Sequence, residues 1–308
     1  MSVIVFGSIN MDLVARTPRL PATGETITGH EFFTAPGGKG ANQAVAAARL
    51  GTPTRMVGRV GGDGFGQELR HNLAEAGVDI SQVLVDDSVS SGVAVIAVDD
   101  AAQNTIIIIP GANGQVGPAD VNRLEAVLAG ARVLLLQFEV PLTATIAAAQ
   151  AARRTGVTVI LDPAPVVDIP AELYQGLDII TPNEIEAGQL VGFPVKTEAD
   201  AARAARLLLE RGVKTAVIKM GALGVFYSDG HSEAFFPAFP VKAVDTVAAG
   251  DAFNGGLATA LVAGHDLATA VAWGAAVGAL SATKAGAQPS LPNRVDFAAF
   301  LDQVGRAG

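Results

Sequence analysis

Asp251 closes the run Asp245-Thr246-Val247-Ala248-Ala249-Gly250-Asp251, which leads through Ala252-Phe253-Asn254-Gly255-Gly256 into an Ala/Leu-rich helical stretch. The first turn of a helix leaves backbone N–H groups without intrahelical partners, and the small residues Ala248, Ala249 and Gly250 keep them open to an anion. A carboxylate inside such a hole makes a poor anion ligand. It makes a good base, able to take the proton of an incoming hydroxyl while the amides face a migrating phosphoryl group. An ordinary N-capping aspartate has the same local signature, so the segment alone leaves both readings open.

Two further segments carry polar groups at useful spacing. In Ser8-Ile9-Asn10-Met11-Asp12 a strand points Asn10 and Asp12 to one face, where a carboxylate offers two acceptors to a vicinal diol; turn-forming residues at a strand end give the same pattern. In Gly37-Gly38-Lys39-Gly40-Ala41-Asn42-Gln43 a glycine turn opens a helix, so backbone can approach a polar ligand with Lys39 and Asn42 projecting nearby; a bare glycine-rich helix start is the alternative. The spacing is not that of a Walker A loop, and no G-x-G-x-x-G follows the first strand.

The elements that must position these groups read as alternating strands and helices. Ile4–Phe6, Arg55–Val60, Val133–Phe138, Thr158–Leu161, Asp178–Thr181 and Thr215–Lys219 are the strand candidates, which predicts a mostly parallel sheet covered by helices. One helix is sharply delimited: Pro141 precedes it, Leu142, Ile146 and Ala149 repeat at helical spacing, and Gly156 follows Arg153 and Arg154. Several strands end in polar residues, Gln137 and Glu139, then Asp162, Asn183 and Lys219, and in an open parallel sheet such ends converge on one crevice; Asp162-Pro163 and Thr181-Pro182 also read as plain turns. Leu13–Ala35 and Val93–Pro110 lack helical periodicity and are β-branched, notably Thr105-Ile106-Ile107-Ile108-Ile109. They predict a small separate sheet, with extra strands on the main sheet as the alternative.

Composition sets the outer limits. Half of the 308 residues are hydrophobic, enough for a sizeable core, and the net charge of -9 without a basic stripe argues against duplex nucleic acid as a partner. With no cysteine, disulfides and Cys-based zinc sites are excluded. Met1-Ser2-Val3-Ile4-Val5-Phe6 lacks a basic n-region and reads as a buried strand, so secretion is not expected; Leu267 to Thr283 is too short and too weakly apolar to span a bilayer and reads as a packed helix. A cytoplasmic protein with no membrane partner is the expectation.

With these residues in hand, the chain resembles the ribokinase-like (PfkB) carbohydrate kinases from Val3 to its final helix. Residues 37–43 resemble the family's first signature and 245–251 its second. Gly7-Ser8-Ile9-Asn10, Pro21-Ala22-Thr23-Gly24-Glu25-Thr26 and Lys284-Ala285-Gly286-Ala287-Gln288-Pro289-Ser290 resemble the members that act on D-ribose. The resemblance implies one α/β domain over residues 1–308, with a small β-sheet lid inserted from roughly 12–36 and 90–110. It implies transfer of phosphate from ATP to the 5-hydroxyl of D-ribose. Deoxyribose, fructose, 2-keto-3-deoxygluconate or nucleoside kinases of the same family are the alternatives, and then a sugar-binding regulator.

Carried over position by position, the resemblance gives Asn10, Asp12, Gly38, Lys39, Asn42 and Glu139 to the sugar, Asp251 to its 5-hydroxyl as base, and Ala248, Ala249 and Gly250 to the anion hole. Asn183 and Glu186 would organise Mg²⁺ and phosphate, with nucleotide contacts from Asn183, Lys219, Gly221 and Gly224. Asp245, Val247, Ser281, Lys284, Gly286 and Ser290 would ring a monovalent cation, K⁺, largely through carbonyl oxygens. The lid sheet would also form a homodimer interface. Two positions depart from the family pattern: Lys219 stands where a threonine is expected near the phosphates, and Ala275 where a histidine often sits near adenine.

Overall fold

Because successive side chains of a strand point to opposite faces, a strand buried on both sides must be apolar throughout. Val3, Ile4, Val5 and Phe6 are all fully buried, with Val3 and Val5 in one hydrophobic cluster and Ile4 and Phe6 in another. A computed structural model describes residues 1–101 and 103–306. In chain order they form β1 (Ser2–Phe6), β2 (Asn10–Thr17), β3 (Glu31–Gly37), α1 (Lys39–Arg49), β4 (Thr54–Gly61), α2 (Gly64–Glu75), β5 (Val78–Asp86), β6 (Gly92–Asp99), β7 (Asn104–Ile109) and α3 (Pro118–Glu125). There follow β8 (Ala131–Leu136), α4 (Leu142–Thr155), β9 (Thr158–Leu161), α5 (Ala171–Tyr174), β10 (Ile179–Ile180), α6 (Glu184–Val191), α7 (Glu198–Glu210) and β11 (Thr215–Lys219). The chain ends with β12 (Gly224–Ser228), β13 (Glu233–Pro237), α8 (Ala249–Val262), α9 (Leu267–Ser281) and α10 (Arg294–Arg306).

The large sheet has nine strands in the order β13-β12-β11-β10-β9-β8-β1-β4-β5, parallel except where β12 and β13 continue it antiparallel from β11. Residues of α3 to α7 pack on one face with Ile4, Phe6, Leu134 and Leu136, and residues of α1, α2, α8, α9 and α10 on the other with Val3, Val5, Val133 and Leu135. From β1 the chain progresses outward through β4 and β5, then returns to β8 on the other side of β1 and progresses the opposite way. The order reverses between β1 and β8, and the crevice beyond their carboxyl ends is where an open α/β sheet binds ligands.

A second sheet of four strands, β3-β2-β6-β7, stands apart from the first, so the segments rich in β-branched residues do not extend the main sheet. Its base lies at Asn10, which is paired in register with Gly37 on β3 and Gly92 on β6. Its outer strand β7 is exposed along its whole length, with Ile106 to Ile109 between 40% and 58% accessible.

Strands β1, β4, β9 and β11 and helix α4 lie where the sequence puts them. Two strand expectations are corrected in extent. Val133–Phe138 stops as a strand at Leu136, since Phe138 N–H turns to the carbonyl of Ala164, and Asp178–Thr181 contracts to two residues because Asp178 spends its carboxylate on Val159 N–H (2.7 Å). No helix among the described residues is long and apolar enough to cross a membrane.

Candidate active site

At the switch point the loop after β1 meets the loop after β8. Glu139 Oε2 accepts from Ser8 Oγ (2.5 Å), from the backbone N–H of Lys39 (3.0 Å) and from Asn10 Nδ2 (3.5 Å). Asn10 is buried, and its Oδ1 accepts from Asn113 Nδ2 (2.7 Å) in a 3₁₀ turn beyond β7. Two residues on, the Asp12 carboxylate lies directly over Gly37: a Cβ there would stand 2.5 Å from Asp12 Oδ2. Gly38, at φ +89°, takes a left-handed turn that L side chains avoid, and a Cβ on it would stand 2.7 Å from Asn10 N. The two glycines therefore let α1 begin against the Asn10–Asp12 strand.

Asp251 lies in the first turn of α8, 5% exposed. The helix is capped by Ala248 without a side-chain bond, and the Asp251 oxygens accept instead from Asn42 Nδ2 (3.0 Å) and Gln43 Nε2 (3.0 Å) of α1. An N-capping role is thereby excluded. Ala248 is the one non-glycine among the described residues with positive φ (60°, ψ 8°), a conformation costing about 1–3 kcal/mol that clusters at ligand clamps. The N–H groups of Gly250 and Asp251 find no acceptor among the described residues, whereas that of Ala249 is taken by the Thr246 carbonyl (3.1 Å). Ala249 thus contributes its small side chain to the hole rather than a free donor.

The strand-end residues do converge. Gln137 Nε2 donates to Gln43 Oε1 (2.7 Å), and Gln43 Nε2 reaches Asp162 Oδ2 (3.0 Å) as well as Asp251. Asp162 is 3% exposed and holds the Lys219 ammonium at 2.9 Å, so it is not the plain turn former that sequence leaves open. A bridge joins Asn183 to Lys219.

Crowding of acids gives the site its electrostatics. Burial first, then the charges of Glu139 and Asp251, push the Asp12 carboxyl up from 3.8 to about 7. Burial raises Asp251 to about 6, against the lowering effect of Lys39 and the two amide donors. Burial works against the Lys39 ammonium, but Asp251, Asp162, Glu139 and Glu186 together hold its pKa above the ordinary lysine range. Mutual influence among Asp12, Glu139, Lys39 and Asp251 joins the N-terminal polar pair and the helix carboxylate in one site.

Beyond Asp251 opens a cavity of about 780 Å³, lined by Lys39, Asp162, Lys219, Gly250 and Asp251 at one end. Asn183, Glu186, Gly221, Gly224 and Ala275 also line it. Asn183 caps α6, accepting from Ile185 N–H (2.9 Å) and Glu186 N–H (2.8 Å), while Glu186 Oε2 accepts the Asn183 N–H (2.8 Å). Burial raises the Glu186 carboxyl, and its other oxygen has no protein partner among the described residues. No group of three or more His, Cys, Asp or Glu suited to a metal occurs among the described residues, so an ion here would need ligand oxygens from a substrate.

A second oxygen-rich junction lies behind α8. Asp245 accepts from Val247 N–H (3.0 Å) and Gly286 N–H (2.9 Å), tying the 245–247 loop to the 281–290 loop. There Ser281 Oγ and Ser290 Oγ are 2.8 Å apart and buried, Lys284 N–H donates to the Ser281 carbonyl, and the Lys284 ammonium points away to Asp296 (3.2 Å). All six residues expected around a monovalent cation thus lie on these two joined segments, Ser281 at the end of α9.

Gln43, Asn113 and the apolar lip Phe239-Pro240-Val241 belong to the site without having been assigned to it from sequence. Gln43 stands beside Asn42 in the glycine-rich segment, and that proximity was the available signal. Asn113 and Phe239 gave none.

The model of the "pfkB family carbohydrate kinase" matches residues 1–294 of the chain. The Haemophilus influenzae ribokinase is 41% identical over 98% of this chain and 99% of its own length. The Salmonella typhimurium deoxyribokinase is 36% identical over 98% and 99%. Among solved structures, that of the Arabidopsis thaliana ribokinase complexed with ribose and ATP superposes with a TM-score of 0.90 at 34% identity, covering 97% of this chain and 98% of that one.

Proposed function

Because the chain belongs to the pfkB family of carbohydrate kinases, we propose that it transfers the terminal phosphoryl group of ATP to the 5-hydroxyl of D-ribose, giving D-ribose 5-phosphate. The observation that carries the reading is the start of α8, where a buried carboxylate with raised pKa stands beside backbone N–H groups that have no acceptor among the described residues. Phosphoryl transfer asks for in-line positioning and charge neutralisation more than for covalent help. Asp251 takes the hydroxyl proton as the bond to phosphorus forms. Gly250 N–H and the αL turn at Ala248 receive the equatorial oxygens.

The sugar lies between Asn10, Asp12, Gly38, Lys39, Asn42 and Glu139, under the lid sheet. Asp12 accepts from two neighbouring hydroxyls, and the buried Asn42 Oδ1, which has no partner among the described residues, accepts a third. Ribose is favoured over 2-deoxyribose because the deoxy sugar leaves one of these acceptors unpaired, and sites built this way discriminate by up to ~10⁴-fold.

ATP occupies the large cavity, with its phosphates toward Lys219 and Gly250 and its base toward Ala275. Glu186, with one free oxygen in a buried setting, and Asn183 fit a Mg²⁺ ion that is completed by phosphate oxygens; bound there it neutralises charge on the phosphates. Asp245, Val247, Ser281, Lys284, Gly286 and Ser290 offer only oxygen ligands, which fits K⁺, and a cation there would hold the loop that leads into Ala248. The apolar β7 edge of the lid pairs with a second copy, and the enzyme works in the cytoplasm, where ATP is supplied. ATP consumption measured across pentoses, hexoses and nucleosides, with and without potassium, tests all of this. Ribose should lead the panel, with activation by potassium; equal rates on deoxyribose would move the substrate assignment.

A further inference from the structure

Lys219 closes β11 as a largely buried cation: its side chain is 13% exposed, and its ammonium is 2.9 Å from Asp162 Oδ1. A cation withdrawn from water is retained where a counter-charge holds it, and here the counter-charge is also part of the Asp251 scaffold through Gln43 Nε2, 3.0 Å from each carboxylate. On its other side the ammonium lies against α8, 3.3 Å from where a Cβ on Gly250 would stand. The Gly250 N–H has no acceptor among the described residues, and both residues line the cavity next to Asp251. A phosphoryl group attacked by a hydroxyl held at Asp251 must lie across from that carboxylate, which is the space that Gly250 N–H and Lys219 Nζ share.

We infer that Lys219 is a catalytic residue whose ammonium binds the terminal phosphoryl group of the nucleotide, and that Asp162 is its positioning residue. The inference rests on the phosphoryl-transfer reading above and adds to it the group that the lysine meets. The bond between the β,γ-bridging oxygen and phosphorus breaks as the sugar oxygen bonds to phosphorus, and the ammonium offsets charge on the transferring oxygens without giving up a proton. Contact with the terminal phosphate makes Lys219 a sensor of triphosphate against diphosphate. A contact to the inner phosphates would serve both nucleotides alike.

The test is calorimetric titration of ADP and of the β,γ-imido analogue of ATP, each with Mg²⁺ and without sugar, into the wild type, Lys219→Met, Lys219→Arg and the double variant Asp162→Asn/Lys219→Met. The double variant removes both charges at similar volume, so it leaves no lone buried carboxylate and should melt like the wild type. Loss of a charge-assisted hydrogen bond predicts that both methionine variants bind the analogue about 10- to 150-fold more weakly, with ADP affinity within about twofold. Lys219→Arg should keep most of the preference for the triphosphate. Equal weakening of ADP and analogue, or an intact preference in the folded double variant, overturns the inference. Since no sugar is present, a chain that turned out not to phosphorylate ribose would still give a decisive result here. For Asp162, the single variant Asp162→Asn should lower kcat while leaving ADP affinity unchanged; unchanged kcat removes its positioning role.

Discussion

Asp12→Asn should stabilise the protein while impairing it. The Asp12 carboxyl is raised from 3.8 to about 7 by burial and by Glu139 and Asp251, so its ionised form is disfavoured in the fold. Between those pH values the native state holds a proton that the unfolded chain releases, and stability therefore falls as pH rises from about 4 to about 7 and is flat beyond. At about 1.4 kcal/mol per pH unit the full cost is roughly 4 kcal/mol, and roughly 2 kcal/mol if solvent reaching this half-buried group is allowed for. An asparagine is neutral in both states and escapes it. For a chain of 308 residues 1 kcal/mol corresponds to roughly 1.5 °C, so Asp12→Asn should melt about 3–6 °C above the wild type at pH 7.5, with the gap closing toward pH 4. Calorimetric melts of both proteins across pH 4–8 read this directly. The same variant should raise the KM for ribose by about 10-fold or more, through loss of charge-assisted hydrogen bonds. A melting gap independent of pH, or a variant less stable at neutral pH, refutes the reasoning.

Gly37→Ala puts a methyl 2.5 Å from the Asp12 carboxylate, so it should raise the KM for ribose steeply while the KM for ATP holds, as steady-state kinetics would record. Arg49 donates to the carbonyls of Gln288 (2.5 Å) and Leu291 (3.1 Å), fastening the end of α1 to the loop that carries Ser290; Arg49→Met should lose about 2–3 kcal/mol, read as a melting drop of roughly 3–5 °C. In the wild type, with Asp251 raised to about 6, kcat should fall about tenfold per pH unit below that point, and a kcat flat down to pH 4.5 would contradict it.

Where sequence signals are local, the structure follows them. Thr158–Leu161 is a short run of three β-branched residues and a leucine and becomes β9 with those bounds; Pro141 and Gly156 punctuate α4 because one cannot continue a helix backward and the other adopts the left-handed cap, φ 73°. Strands β5 and β13 escaped because they are the sheet edges, where exposed faces admit Asp, Ser and Glu and blur the apolar signal. The chemistry-bearing residues were legible in type, yet their partners were not. Gln43 meets Asp251 across 208 positions and Asn113 meets Asn10 across 103, contacts that only the crossing of β1, β8 and α8 creates. Asp162 illustrates the limit: before a proline it reads as a turn, and its pairing with Lys219 depends on β10 setting the register of β9 and β11, with Ile180 between Leu161 and Ala216.

The central claim is that the Asp251 carboxylate takes the hydroxyl proton, and kcat of Asp251→Asn on ribose and ATP tests it most directly. The amide can keep the contact with Asn42 but cannot accept a proton, so kcat should drop by about 10²–10⁴-fold, with both KM values within a few-fold and melting unimpaired. A folded Asp251→Asn enzyme turning over within tenfold of the wild type would contradict it.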